Sequence, residues 1–145
     1  MEIKEQIEVA VPAEVIDQIW SEVDQWHKWD PDTKEASLNG PFSVGSKGRI
    51  VPTKGMGVSM VITERTIGQS FTVEGSIPFF CMHFEHLLSP VGKGVLVTHR
   101  VWFTGALSFL FGPSVAKQIR NGLPETMRSL KKYAESRYEH SNNVA

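Results

Sequence analysis

The stretch LSFLFGPSVAKQIRNGLPETMRSLKKYAESRY, residues 107–138, decides the fold of this 145-residue chain. Apolar residues recur in its second part at intervals of three and four, which is typical of one face of an amphipathic helix. This apolar face comprises Val115, Ile119, Leu123, Met127, Leu130 and Ala134. Gly122 and Pro124 lie inside the pattern and predict a kink or break near residues 121–124. The sequence therefore predicts one long C-terminal helix with a single face to bury.

Most of the chain before this helix consists of short alternating segments separated by turn residues. Residues 3–11 alternate as a half-buried strand does, and Pro12 then begins a helix that runs through Val23. A second short helical piece or loop follows at residues 25–32. Six further strands are predicted, joined by links short enough to require antiparallel pairing, at residues 35–38, 47–53, 57–66, 69–77, 80–88 and 94–104.

This order of elements predicts an α+β protein. About seven strands form one curved antiparallel sheet wrapped on the long C-terminal helix, with two short helices after the first strand. We expect residues 1–138 to form a single ligand-binding domain and residues 139–145 to be a disordered tail. Because the sheet is longer than one helix can cover, the sequence also predicts a space between them.

Composition narrows the class of protein further. Hydrophobic residues make up 41% and charged residues 21% of the chain, as in ordinary globular proteins. The formal net charge of -1 gives no electrostatic reason to expect nucleic acid as a partner. A single Cys cannot form an internal disulfide and suits a reducing compartment. Because no run reaches the roughly 18 apolar residues of a membrane span, we expect a cytoplasmic protein without an integral membrane segment.

Several soft motifs resemble a known superfamily over nearly the whole chain. They are residues 26–32 (WHKWDPD), 45–49 (GSKGR), 63–64 (TE), 84–86 (FEH), 97–101 (VTHRV) and 104–105 (TG). This set is similar to the helix-grip superfamily, which includes START domains and proteins of the birch-pollen-allergen type, and most of all to its polyketide cyclase/dehydrase-like branch. The resemblance implies an interior pocket for a small, largely apolar molecule between the sheet and the C-terminal helix.

Three titratable residues fall on strand faces that otherwise look buried. His99 alternates with Val97, Val101 and Phe103, and His86 shares its parity with Phe84. Glu64 follows the apolar set Val58, Met60 and Ile62. Glu64, His86 and His99 are therefore the catalytic candidates, because a carboxylate and imidazoles in a dry pocket can transfer protons on a carbonyl substrate. The alternative is that these groups satisfy one another or the backbone near the rim of the sheet.

The same alternation selects the residues that we expect to line the pocket. The predicted ligand-binding residues are Trp26, Met60, Glu64, Phe84, His86, His99, Phe103, Phe109, Leu123 and Met127. Trp26 and Trp29 either gate the pocket mouth or pack as core beneath the early helix. Leu107–Phe111 either lines the entrance or packs as core, and an exposed version would mark a partner or homodimer surface.

We expect neither a metal site nor a cofactor. His83 and His86 are three residues apart on a strand, so they point to opposite faces and cannot share a metal ion. Cys81 falls on the outward parity with no fixed His partner in the sequence. Nucleotide, metalloprotease and serine hydrolase motifs are absent from the sequence.

Three functions remain open at this point. The first is binding, with or without transport, of a hydrophobic molecule such as a lipid, isoprenoid or polyketide. The second is a polyketide cyclase/dehydratase-type enzyme that uses Glu64, His86 or His99 as acid or base. The third is a protein-interaction module that docks through Leu107–Phe111.

Overall fold

A computed structural model of the protein describes residues 2–144. It contains seven strands, two α-helices and one short 3₁₀ helix. In chain order these are β1 (Glu2–Val9), α1 (Ala13–Ser21), the 3₁₀ helix (Val23–Lys28), β2 (Thr33–Asn39), β3 (Lys47–Pro52), β4 (Val58–Thr66), β5 (Ser70–Ile77), β6 (Phe80–Val91), β7 (Gly94–Thr104) and α2 (Ser108–Val144). The predicted order of elements is confirmed.

All seven strands pair antiparallel in one sheet, in the order β1-β7-β6-β5-β4-β3-β2. Strands β2 to β7 follow one another as a meander because each link is short. The first strand instead joins the far edge beside β7, where Ile3 pairs with Val101 and Val9 with Val95. The two helices that follow β1 carry the chain across the open side of the sheet to β2 at the opposite edge.

Helix α2 closes the open side of the sheet mainly over β1. From Leu123 onward its buried apolar residues recur at the predicted three- and four-residue intervals, whereas the predicted Val115 and Ile119 are only partly buried. The buried apolar residues of α2 are Ala116, Leu123, Met127, Leu130 and Ala134. The helix is continuous across both Pro113 and Pro124, so the predicted break at residues 121–124 is absent.

Helix α2 also extends beyond the predicted domain boundary. Residues 139–144, where the sequence predicts a disordered tail, continue the helix through Val144. No Pro or Gly follows Tyr138 in the sequence, so nothing in the chain interrupts the backbone bonding there. Ala145 lies outside the described residues. Among the described residues, no helix is long and apolar enough to cross a membrane.

The turn from β7 into α2 is pinned to the β5–β6 hairpin. The Leu107 amide donates to the Phe79 carbonyl at 2.9 Å, and Phe79 itself has a φ of 65°. Gly105 has a φ of 104°, and a Cβ there would lie 2.5 Å from the same carbonyl oxygen. Glycine is therefore required at 105, and it sets the start of α2 directly against the hairpin tip.

Candidate functional site

A row of four side chains crosses the concave face of the sheet beneath α1. His99 on β7 pairs with His86 on β6, His86 pairs with Phe71 on β5, and Phe71 pairs with Arg65 on β4. The His86 ring stacks on Phe71 with centroids 3.9 Å apart, and it meets His99 edge-on at 3.8 Å. Trp20 of α1 covers His86 and Phe71 from above, with centroids 5.4 and 5.2 Å away.

The two histidines of this row are buried and incompletely hydrogen-bonded. His86 is 6% exposed and His99 8% exposed. His86 Nδ1 and both ring nitrogens of His99 are buried without a hydrogen-bond partner. Burial lowers the pKa of His99 to about 4, and burial together with the neighbouring His99 holds the pKa of His86 well below its usual range. At neutral pH these are two uncharged imidazoles with unused donors and acceptors.

Glu64 does not belong to this row, contrary to the sequence-based expectation. A β-bulge between Ile62 and Glu64 inserts an extra residue and reverses the alternation of β4. Glu64 consequently pairs with Thr72 on the outer face, where its carboxylate accepts from Ser70 at 2.9 Å and from Thr66 at 2.8 Å. Arg65 takes the inward position instead, so the structure separates Glu64 from the two histidines.

Arg65 is held by a paired carboxylate. Its guanidinium makes a two-pronged salt bridge to Asp17 of α1, with 2.9 Å between Nη2 and Oδ2, and both side chains are 11% exposed. The guanidinium also lies 4.7 Å from the ring centroid of Phe42. This pair fastens α1 onto the concave face, and the sequence pattern missed it because Arg65 falls on the outward parity of an unbroken strand.

Trp26 and Trp29 are core residues and not an exposed gate. Trp26 is 7% exposed, donates from Nε1 to the Trp20 carbonyl at 2.9 Å, and packs with its centroid 6.0 Å from Phe71. Trp29 is 3% exposed and packs edge-on against Trp26.

The following residue, Asp30, accepts from Thr33 at 2.8 Å and from Thr126 of α2 at 3.2 Å. Burial raises the pKa of the Asp30 carboxyl despite these bonds.

The concave face is less well covered at the opposite end of the sheet. Met82, Phe84 and Phe103 point to the same side as the histidines, yet all three are only partly buried. Their neighbours Val73 and Val101 are 5% and 2% exposed. These three side chains form a partly exposed apolar surface on the inner side of β6 and β7, which we call the groove, and the buried Met60 lies two strands from Met82 on β4.

Gly75 deepens this groove. It pairs with both Met60 and Met82, so its missing side chain leaves a gap in an otherwise apolar row. A Cβ at this position would meet Val58, Met82 and Phe84 at ordinary contact distances of 3.5–3.9 Å. The sequence pattern gave no reason to single out Gly75, because glycine in a strand also marks bulges and bends.

The interior is filled by side chains beneath α1. Beneath α1 the rings of Trp20, Trp26, Phe71 and Phe42 occupy the space between sheet and helices. Leu123 and Met127 of α2 are 7% and 2% exposed and belong to the same core. Two depressions of about 480 and 430 Å³ flank the C-terminal half of α2, and neither is lined by the concave face.

Phe109 is placed outside the interior, contrary to its predicted role as a ligand contact. It is 76% exposed at the start of α2, beside Leu110 at 59%, and Phe79 on the adjoining hairpin is 72% exposed. Met56 in the β3–β4 loop is 85% exposed at the same end of the sheet. These four residues form what we call the apolar rim, next to the open end of the groove.

The sequence matches one protein family along most of its length. Residues 1–135 match the family described as polyketide cyclase / dehydrase and lipid transport, which confirms the resemblance predicted from the sequence. No curated protein matches the sequence.

Solved structures share the fold at low sequence identity. A START superfamily protein from Mycobacterium smegmatis is 17% identical, with a TM-score of 0.73 over 93% of this chain and 97% of that chain. Ara h 8.0201 is 13% identical, with a TM-score of 0.74 over 94% and 98%. The di-domain ARO/CYC StfQ of the steffimycin biosynthetic pathway is 15% identical, with a TM-score of 0.76 over 95% of this chain and 51% of that chain. These similarities confirm the helix-grip fold.

Proposed function

The chain belongs to the polyketide cyclase/dehydrase and lipid transport family, and from that premise we propose that it binds a small hydrophobic molecule on the concave face of the sheet. The class of molecule is a lipid, an isoprenoid or a polyketide, and the binding unit is the single domain of residues 1–138. We place this domain in the cytoplasm, where the lone Cys81 stays reduced.

One observation carries the proposal: partly exposed apolar side chains lie on the inner side of the sheet, where a closed core would bury them. Met82, Phe84 and Phe103 stand on the central strands β6 and β7. Apolar surface left in contact with water costs free energy that an apolar ligand would recover, at about 25 cal/mol for each Å² removed from water. Surfaces of this kind mark binding grooves.

The buried imidazoles supply the polar end of the proposed site. A buried donor without a partner costs about 1–3 kcal/mol, so a ligand group that reaches His99 or His86 recovers that cost. His99 and Phe103 lie four residues apart on β7, which at a rise of about 3.3 Å per residue is about 13 Å. An elongated apolar molecule of this length would reach the imidazoles with a hydroxyl or carbonyl group only by displacing side chains beneath α1, because His99 and the intervening Val101 are covered in the structure.

Ligand capture tests the proposal directly. The purified protein is extracted with organic solvent for mass spectrometry, and the apo protein is titrated with 8-anilinonaphthalene-1-sulfonate and then with fatty acids, sterols and aromatic polyketides. We expect a stoichiometric probe signal that at least one class displaces, and a weaker affinity for that class in His99→Leu than in the surface control His27→Leu. An empty extract together with no displacement by any class would overturn the proposal.

A second candidate is catalysis by the same site, favoured by the close contact of two neutral, buried imidazoles. His99 or His86 would transfer a proton at an enolisable carbonyl, as an acid/base group of a polyketide cyclase/dehydratase-type enzyme. Glu64 is removed from this scheme by its outward position. Turnover of a poly-β-ketone substrate should fall by about 100-fold or more in His99→Gln, whereas an unchanged rate would remove His99 from the mechanism.

The apolar rim favours a third candidate, a protein-interaction role for Leu107–Phe111 with a second copy of the chain as the partner. Phe109 and Leu110 expose most of their side chains to solvent in the single chain. Sedimentation velocity should show a dimer that Phe109→Asp dissociates without loss of helix signal. A wild-type protein that stays monomeric at all accessible concentrations would reject this role.

A further inference from the structure

Three different metal-binding side chains meet on the outer face of the sheet, opposite the groove. Glu74 on β5 pairs with His83 on β6, and Cys81 lies two residues before His83 on the same face. One ligand atom from each residue, a carboxylate oxygen, a thiol sulfur and an imidazole nitrogen, lies within 4.8 Å of the other two. This convergence is produced by strand pairing in the β5–β6 hairpin, which places Glu74 directly opposite His83.

The ring of His83 is oriented as a ligating histidine requires. Its Nδ1 lies 3.1 Å from Glu74 Oε1, and its Nε2 lies 2.7 Å from Thr104 Oγ1 on β7. The indole of Trp102 stacks on the imidazole with an interplanar angle of 1° and centroids 5.1 Å apart. Histidines that bind metal ions usually donate their second ring N–H to such an outer partner, which fixes both ring and tautomer.

We propose that Glu74, Cys81 and His83 form a binding site for a divalent cation of the zinc class. Cys81 Sγ, His83 Nδ1 and one Glu74 oxygen would supply three ligands, and water would take the fourth position. This combination of thiolate, imidazole and carboxylate suits Zn²⁺ and Co²⁺ and is a poor match to Mg²⁺ or Ca²⁺, which prefer oxygen ligands. The Thr104 hydroxyl can accept the Nε2 proton when Nδ1 binds the ion.

The exposure and charge of the cluster are consistent with this assignment. The His83 side chain is 14% exposed and that of Glu74 33%, so the site is shielded yet open to entry from solvent. Burial and the Glu74 carboxylate raise the pKa of the Cys81 thiol. A bound cation would offset both effects, because one carboxylate and one thiolate together neutralise a charge of +2.

The proposal departs from the sequence-based expectation that no metal site is present. That expectation rested on His83 and His86, which indeed point to opposite faces of β6. The pairing of β5 with β6 instead brings Glu74 to His83. The site is independent of the groove, since its three residues lie on the other side of the sheet.

Cobalt spectroscopy and zinc calorimetry test the site in the full-length, metal-free, reduced protein. We expect one equivalent of Co²⁺ to give the visible bands of a four-coordinate ion and a near-ultraviolet thiolate-to-cobalt band. Cys81→Ser should abolish the thiolate band, and His83→Gln and Glu74→Gln should weaken Zn²⁺ binding. Thr104→Val, which removes the outer partner of His83 and a hydrogen bond to the Cys81 side chain, should weaken it by about 10- to 100-fold.

Matched controls separate a built site from surface binding. His27 and His140 are exposed histidines away from the cluster, so His27→Gln and His140→Gln should leave Zn²⁺ affinity unchanged. Circular dichroism and the thermal midpoint without metal confirm that each variant is folded. The absence of a thiolate band in the wild type, or equal Zn²⁺ affinity in the wild type and folded His83→Gln, would overturn the proposal.

Discussion

The imidazole rings of His86 and His99 lie with centroids 3.8 Å apart on neighbouring strands, and three of their four ring nitrogens are buried without a partner. The pairing of β6 with β7 places them directly opposite each other, and Trp20 covers His86 from the helix side. Two uncharged imidazoles in an apolar interior have consequences for stability, for ligand binding and for the pH range in which the fold persists.

The first consequence is a pH-dependent loss of stability. The pKa of His99 is about 4 when folded and about 6.5 when unfolded, so between these values the unfolded chain binds more protons. The contribution of His99 to the unfolding free energy is therefore constant above about pH 6.5, and it becomes unfavourable as the pH falls towards 4. The expected loss of unfolding free energy from this residue is about 3 kcal/mol.

Urea unfolding at several pH values between about 7.5 and 4.5 measures this loss. Because Asp and Glu side chains also titrate near the lower limit, the comparison is between wild type and His99→Leu. Glu5, which pairs with His99 across β1 and β7, should be replaced by Gln in both proteins so that its own titration cannot contribute. Parallel pH profiles for the two proteins would contradict the buried neutral imidazole.

The salt bridge between Arg65 and Asp17 predicts an asymmetric mutational response. Asp17→Leu leaves a buried guanidinium without its counter-charge and should cost about 3–5 kcal/mol of unfolding free energy. The double variant Asp17→Leu/Arg65→Met removes both charges and should recover most of that loss. Chemical denaturation of the wild type, Asp17→Leu, Arg65→Met and the double variant gives the coupling energy, and equal destabilisation by Asp17→Leu and the double variant would show that the pair does not fasten α1 as described.

The bulge in β4 predicts that Glu64 is dispensable for the concave site. Glu64→Gln should leave ligand affinity, and turnover if any is found, within about twofold of wild type, because the carboxylate lies on the outer face with Ser70 and Thr66. His99→Gln provides the contrasting variant on the inner face. A loss of function in Glu64→Gln as large as that in His99→Gln would contradict the outward position of Glu64.

A larger side chain in the groove should block ligand binding without disturbing the fold. Gly75→Leu projects a side chain among Val58, Met82 and Phe84, whose nearest atoms would lie 3.5–3.9 Å from its Cβ. Ser76→Leu adds the same side chain one residue later, on the outer face. We expect Gly75→Leu to weaken probe binding by at least about tenfold, and Ser76→Leu to have no effect, in fluorescence titrations of folded protein.

Equal affinity of these two variants would place the ligand elsewhere. A loss of affinity in both would indicate a general effect on the β5–β6 hairpin, which their thermal midpoints would reveal.

The fold was predictable because most elements of this chain agree with their local sequence pattern. The apolar intervals of α2 and the unbroken alternation of β6 and β7 place Leu123, Met127, His86 and His99 on the buried side. The sequence-based predictions were wrong where the tertiary structure departs from the local sequence pattern. The alternation of residues 57–66 gives no sign of the bulge that turns Glu64 outward. A β-bulge depends on how two strands pair, and the residue pattern of one strand does not show it.

Phe109 shows a second limit of sequence reasoning. An apolar run at the start of a helix looks the same in the sequence whether the structure buries or exposes it. In this chain the turn at Gly105 determines that Phe109 is exposed. The cluster of Glu74, Cys81 and His83 was equally inaccessible, since it requires the register between β5 and β6. Contacts within one strand or helix follow from spacing, whereas contacts across strands depend on bulges and register.

Methyl NMR of the methionines tests the proposed binding groove most directly. The sequence holds five methionines. Met82 belongs to the groove and Met60 lies beside it, Met127 is a buried residue of α2, and Met56 is exposed on the rim. With [methyl-¹³C]methionine, adding a displacing ligand should shift the Met82 and Met60 signals most and leave them unmoved in Gly75→Leu. Shifts confined to Met56, or the same shifts in wild type and Gly75→Leu, would contradict a ligand on the concave face of the sheet.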